Sequence, residues 1–324
     1  MLARETRAST SHDDRGAAVP ARGGGAAVMR GPRGGHDGRM SELMPRDENA
    51  DLSTVIANLS RSPETLARVA DEVEREPLPS AVVEALPRTD PVALLLAARS
   101  AEGEGRSFEA AGLVGEALAL DPGLEPARRD AAEYAACRTD PHRELADRAA
   151  DLFDRLLVFL YRPARRRLVE ELVARSVRVA EHALADLALF EHDVIGEFLD
   201  ARGEWLREDE VKLLESWRTT PSRLWEVVGV SGRRVTLDDG AEQVVLTDEL
   251  LSGQALPGDL MLTRVLHDGT GPRVFGHPFK VDPARRDEML ALLADPVDPY
   301  AIAAFFRRPA GPASGVTPTT APPR

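Results

Sequence analysis

Few residues in this chain have the types and spacing that chemistry needs. His182, Asp186 and Asp193 fall within about three helical turns, so they can share one face and begin a His/carboxylate metal site. The same stretch places Leu184, Leu187, Phe190 and Phe198 on a buried stripe and supplies no further ligand, so a solvated polar face is expected. Cys137 is the sole cysteine, which excludes an intramolecular disulfide and a Cys-rich zinc site. Its spacing to His142 is too loose to signify, and a cysteine near a helix end is usually a small core residue. Gly23-Gly24-Gly25 lacks the flanking strand and helix of a phosphate-cradling loop, and no Gly-x-Ser-x-Gly elbow is present. The basic run Arg162, Arg165, Arg166 and Arg167 could meet phosphate or an acidic partner. Glu170 and Glu171 stand at helical spacing from it, which predicts an i,i+4 salt-bridged surface instead. No catalytic residue, cofactor or metal ligand is assigned.

The composition narrows the class. A chain of 324 residues is long enough for two or three packed domains, and 43% hydrophobic with 29% charged residues is ordinary for a globular protein. The formal charge is −13. Residues 1–39 hold seven Arg against four acids, so the remainder carries −16. An acidic body disfavours a phosphate backbone, which is held by clustered Lys and Arg. Lys212 and Lys280 are the only lysines, a usage typical of a high-GC genome. The longest apolar run is far short of a membrane span, and the first thirty residues lack the apolar segment of a secretory signal. A cytoplasmic protein with no membrane partner is expected.

These residues must be positioned by elements that the periodicity outlines. Residues 1–45 are Gly-, Arg- and Ala-rich without periodicity and are expected to be disordered, or to precede the true start at Met29, Met40 or Met44. Helices begin near Asp51. Ser62-Pro63 is an N-cap with proline at the first helical position, and a shorter helix is expected over Ala81–Leu86. Asp-Pro recurs as a helix start at 90–91, 140–141, 282–283 and 298–299. Ala97 to Asp121 reads as a helix, a turn at Gly105 and a second helix, with Glu125–Cys137 following. Asp140–Arg162 is the strongest amphipathic helix, through Leu145, Ala149, Leu152, Leu156, Leu157 and Leu160. Helices over 164–175, 177–190, 193–202 and Glu208–Trp217 come next.

At Pro221 the period changes to two. Strands are expected over Leu224–Val230, Arg234–Leu237, Gln243–Thr247, Asp259–Leu266 and Arg273–Val281, with Asp239-Gly240 as a hairpin signal. Five short strands in about sixty residues suggest a small SH3- or OB-like barrel. Helices over 284–294 and 299–307 close it, and 309–324 is a Pro- and Thr-rich tail. Residues 222–282 carry six Arg or Lys against nine Asp or Glu, and Trp225, Phe275 and Phe279 are their only aromatics. A single-strand platform needs aromatics in a basic groove, so these three are expected in the core.

The segment from Pro91 to Pro122 resembles a tetratricopeptide repeat: Gly105 falls on its turn, Ala110 and Ala117 on its small positions, and Leu118, Leu120 and Asp121 also match. The first helix departs, with Ala97, Ala98 and Ala101 where larger residues are usual. The repeat's groove positions imply Arg99, Arg129 and Glu133 as partner contacts. From Leu118 onward the chain is similar to bacterial proteins that carry a SEC-C motif, a small zinc-binding motif. The matching residues are Ala117-Leu118-Ala119-Leu120-Asp121-Pro122, Asp186-Leu187-Ala188-Leu189-Phe190-Glu191, Phe198-Leu199, Arg202-Gly203, Gly258-Asp259-Leu260 and Ala301-Ile302-Ala303-Ala304-Phe305-Phe306. The Cys-Pro-Cys-Gly-Ser-Gly signature is replaced by Cys137-Arg138-Thr139-Asp140-Pro141, so zinc is not carried over.

The expected architecture is α+β and mostly α. Repeat-like helical hairpins span 46–139, a helical region 140–220, and a five-stranded barrel with two closing helices 221–308. The expected function is a non-catalytic protein-interaction scaffold with an unidentified protein partner. The alternative is a nucleic-acid-associated factor that uses the barrel and the Arg-rich tail. A third reading is a divergent metal-dependent hydrolase through His182 or His192. His192-Asp193 resembles a phosphohydrolase dipeptide whose further His/Asp partners are missing.

Overall fold

The structure is a computed structural model that describes residues 52–137, 143–176, 181–294 and 297–307. Both expected tails and the Asp140-Pro141 helix start lie outside the described residues. The chain is α+β and mostly helical, with an antiparallel sheet towards its C-terminal side.

The first unit stacks α1 (Leu52–Leu59), α2 (Pro63–Arg75), the short α3 (Ser80–Ala85), α4 (Pro91–Gly103), α5 (Ser107–Leu120) and α6 (Glu125–Ala136). The capping expectations hold at Ser62, Asp90 and Asp298, whereas Asp282-Pro283 opens a 3-10 turn. Ser62 Oγ accepts from the Thr65 amide at 3.4 Å, and Asp90 Oδ1 from Val92 and Ala93 at 2.8 and 3.1 Å. Helix α4 is buried on every side from Val92 to Glu102, because α2 packs against one face and α5 against another. That position explains the alanines of its sequence. Ala97, Ala98 and Ala101 meet Ala110 and Ala117 of α5 in a core where larger side chains would hold the helices apart. Gly105, at φ 78°, makes the turn between them. Gly103 is needed for a different reason: a Cβ there would sit 2.3 Å from the Glu74 carbonyl oxygen of α2.

The second unit comprises α7 (Leu145–Leu160), α8 (Pro163–Arg175), α9 (Glu181–Glu191), α10 (Val194–Arg202), a 3-10 turn at Gly203–Trp205 and α11 (Glu208–Arg218). Leu152, Leu156, Phe159 and Leu160 of α7 form the centre of its core with Leu172, Leu184, Leu187, Phe198 and Trp217. Trp217 joins this core to the C-terminal β region outside the main sheet, donating from Nε1 to the His267 carbonyl at 2.8 Å and packing on Phe275 at 5.0 Å.

The sheet contains β1 (Arg223–Ser231), β2 (Arg234–Asp238), β3 (Gln243–Thr247), β4 (Leu260–Thr263) and β7 (Phe279–Val281), in the order β3-β2-β1-β4-β7. A separate two-stranded ribbon pairs β5 (Leu266–His267) with β6 (Pro272–Arg273). Helix α12 (Glu249–Gln254) follows β3, and α13 (Arg286–Leu292) and α14 (Pro299–Phe305) close the described chain. The sheet has helices or loops on both faces. Leu224, Leu260 and Leu262 join the helical core, while Trp225, Val227 and Met261 point into a second cluster with Leu237, Leu246 and Leu251.

The expected barrel is corrected here: the sheet is not closed. Each of its last two expected strands breaks into two, and the halves take different partners, β4 pairing with β7 and β5 with β6. The first break is at Arg264, which turns towards the helical unit and donates to the Thr220 carbonyl at 3.0 Å and to Asp186 at 3.0 Å. The second lies between Val274 and Pro278, where proline has no amide for a ladder. Alternating apolar residues specify the strands, but not this loss of continuity.

Candidate partner-binding groove

The charged residues that matter most lie where α2, α4 and α6 of the first unit meet α8 and α10 of the second. Arg162, at the start of α8, donates to both carboxylate oxygens of Glu74 at 2.8 and 2.7 Å and to Glu133 at 2.7 Å. Arg99 of α4 reaches Asp130 at 2.8 Å, Glu74 at 2.8 Å and Asp71 at 3.3 Å. Arg202, the last residue of α10, donates to Glu102 at 2.9 Å and Glu133 at 2.8 Å, and its other branch lies 3.4 Å from Cys137 Sγ. Tyr134 donates its hydroxyl to Glu102 at 3.0 Å. Glu74, Glu102 and Arg202 are fully buried.

Helix geometry explains how charges come to be buried. Glu74 follows Leu66 and Ala70 at four-residue steps, Glu102 follows Ala98, and Arg202 follows Phe198, so each side chain continues an apolar stripe. Charges taken out of water persist there only when paired and hydrogen-bonded. Burial pushes the Glu102 carboxyl up, but Arg162 and Arg202 outweigh it and hold it at about 2. Asp130 goes the other way. Burial raises it to about 6, with Glu74 and Glu133 adding to the rise against the pull of Arg99 and Arg162. A smaller contribution is that four carboxylates, Glu74, Glu102, Asp130 and Glu133, share three arginines, Arg99, Arg162 and Arg202, in this cluster. Burial likewise raises the Cys137 thiol, which keeps it protonated and poorly nucleophilic.

Above this network two cavities adjoin, of about 520 and 450 Å³, sharing Arg129, Glu133 and Val158. The first extends over Cys137, Asp151, Asp154 and Arg202. The second runs between α2 and α8 over Arg75, Arg99, Arg162 and Arg166. Together they form a groove with a charged floor. The three residues expected to meet a partner all line it, but unequally. Arg99 is part of the buried floor, Glu133 bridges Arg162 to Arg202, and Arg129 is exposed at the rim with no ion pair among the described residues.

The basic run needs correction. Arg166 does pair with Glu170 on the surface at 3.1 Å. Arg162 and Arg165 turn inward instead, Arg165 lying 3.7 Å over the Phe159 ring and donating to Glu197 at 2.8 Å. The sequence reading also missed Glu74, Glu102, Asp130 and Arg202. Their signal is a charge at the four-residue step of a buried stripe.

The remaining candidates are dispersed. Asp186 is engaged by Arg264, and Asp193 stands before α10 in the left-handed region at φ 55°, its carboxylate pairing with Arg218 at 2.6 Å instead of capping the helix. His182 belongs to α9, and its side chain lies outside the described ones. His192 rests edge-on against Tyr300, with ring centroids 5.5 Å apart. Among the described residues no three His, Cys, Asp or Glu gather as metal ligands. His142 and residues 138–141 lie outside the described residues. Trp225 is buried in the sheet's own cluster, while Phe279 and Phe275 pack into the helical core, Phe275 on Phe153 at 5.6 Å. No described helix is long and apolar enough to cross a membrane. Compared with known proteins, the chain matches no family model, no curated protein and no solved structure.

Proposed function

We propose that the chain is a non-catalytic, cytoplasmic interaction protein that holds a protein partner in the groove between α6 and the α7–α8 junction. In this reading it is a SEC-C-type scaffold without the zinc motif, and the α4–α5 hairpin is its tetratricopeptide-like unit. The observation that carries it is the division of labour among the arginines. Arg99, Arg162 and Arg202 are committed to buried carboxylates and make a fixed floor. Arg129 stands at the rim without an ion pair among the described residues, beside Val158, which is 49% exposed. A rigid floor with a polar and apolar rim suits binding, where affinity rests on preorganised surface.

The buried position of Arg99 selects the variant for the test. Reversing its charge would disrupt the floor, whereas Arg129→Glu alters only the rim. Affinity purification from the source cell should recover proteins with the wild-type chain that Arg129→Glu loses. The control Arg234→Glu, on the exposed part of the sheet, should keep them. Identical recoveries for all three would remove the groove from consideration.

A further inference from the structure

The groove's chemistry also selects a class of partner, an inference that rests on the binding role just given. Its α2–α8 end is lined by five arginines, at 75, 99, 129, 162 and 166, against Asp71, Asp130 and Glu133. Arg99 and Arg162 are balanced by the carboxylates beneath them, so the positive charge a ligand meets is that of Arg75, Arg129 and Arg166. Asp130 and Glu133 on the floor are already hydrogen-bonded by Arg99 and Arg162. Arg75 and Arg166 are half-exposed and tied to neighbours on their own helices, the part-buried Glu72 at 3.4 Å and the exposed Glu170 at 3.1 Å. Pairs of that kind contribute roughly 0–1 kcal/mol, so an incoming carboxylate can replace them at little cost.

We infer that the groove takes an extended acidic peptide segment of a partner protein. Its carboxylates would meet Arg75, Arg129 and Arg166, and an apolar side chain would cover Leu157 and Val158. The two adjoining cavities favour an extended segment over a compact anion. The other end mixes Asp151 and Asp154 with Arg155 and Arg202, and Asp151 is paired with Arg143, so it offers no continuous basic track for a phosphate backbone, whereas a peptide can place neutral residues there. Electrostatic complementarity of this kind sets encounter rate and selectivity more than affinity.

The test is fluorescence anisotropy on the full chain with labelled peptides of about ten residues. One peptide alternates Glu or Asp with Leu, one carries Lys at the acidic positions, and a single-stranded oligonucleotide of similar length is the third probe. The acidic peptide should bind, weaken about tenfold or more between about 50 and 500 mM salt, and weaken about tenfold with Arg129→Glu. The Lys peptide and the oligonucleotide should not compete. Tighter binding of the oligonucleotide, or equal binding of the acidic peptide to Arg129→Glu, would overturn the inference. So would no binding of the acidic peptide to folded protein. If the peptide fails while Arg129→Glu still loses captured proteins, the groove stands and only the acidic class is wrong.

Discussion

Replacing Arg162 by Met should lower the stability of the folded chain by about 3–5 kcal/mol. The guanidinium lies under the surface and satisfies Glu74 through two hydrogen bonds and Glu133 through a third. Methionine keeps much of the volume, so the loss reports charge more than cavity. With the arginine gone, the fully buried Glu74 loses two of its hydrogen bonds and the part-buried Glu133 one, and an underpaired charge at Glu74 is far more costly than a broken surface pair. The residue also connects units 88 positions apart in sequence, so the damage should include loosening of α8 from α2. Urea denaturation followed by far-UV circular dichroism measures the effect. A loss below about 1 kcal/mol would mean that water reaches this cluster and that the pairing behaves like a surface one.

The second large effect is on pH dependence. Asp130 is raised by burial from its ordinary 3.8 to about 6, so the folded state holds its proton more tightly than the unfolded state does. Its contribution to stability is therefore fully present below about pH 3.8 and is lost as pH rises through about 6. A difference near two pH units corresponds to about 3 kcal/mol between pH 4 and pH 7. Asp130→Asn mimics the protonated acid and should remove this slope, gaining on the wild type as pH rises across that window. Glu102, held at about 2, has the opposite sign and acts lower: its contribution is present above about pH 4.5 and lost as pH falls through about 2. The two windows are separable by denaturation at a series of pH values. A variant that falls further behind the wild type with rising pH would mean that Asp130 is a favourable ion balanced by Arg99.

The helical part of the fold was largely legible because its signals are local. Proline after Ser62, Asp90 and Asp298 marks helix starts, and the leucines of α7 keep the three-four spacing that its core position needs. The strands were legible for the same reason, through alternation and the Asp239-Gly240 turn. Closure of the sheet was not, because it depends on where Arg264 points, and that is decided by Asp186 and Thr220 more than forty residues away. The groove was half legible. Arg129 and Glu133 do line it, yet Arg99 is its floor, and Arg162 was read as a surface charge. A charged residue at a helix end can face solvent or a distant carboxylate, and periodicity within one helix does not distinguish these. Glu74, Glu102 and Arg202 gain their meaning only when the two units meet.

Backbone hydrogen exchange locates binding most directly, comparing the chain alone with the chain bound to the protein it co-purifies with. Slower exchange should appear in α6 and at the α7–α8 junction, around Arg129, Glu133, Val158 and Arg162. Protection confined to β1–β3 and α12, with those helices unchanged, would place the partner on the sheet and contradict the groove as the site of binding.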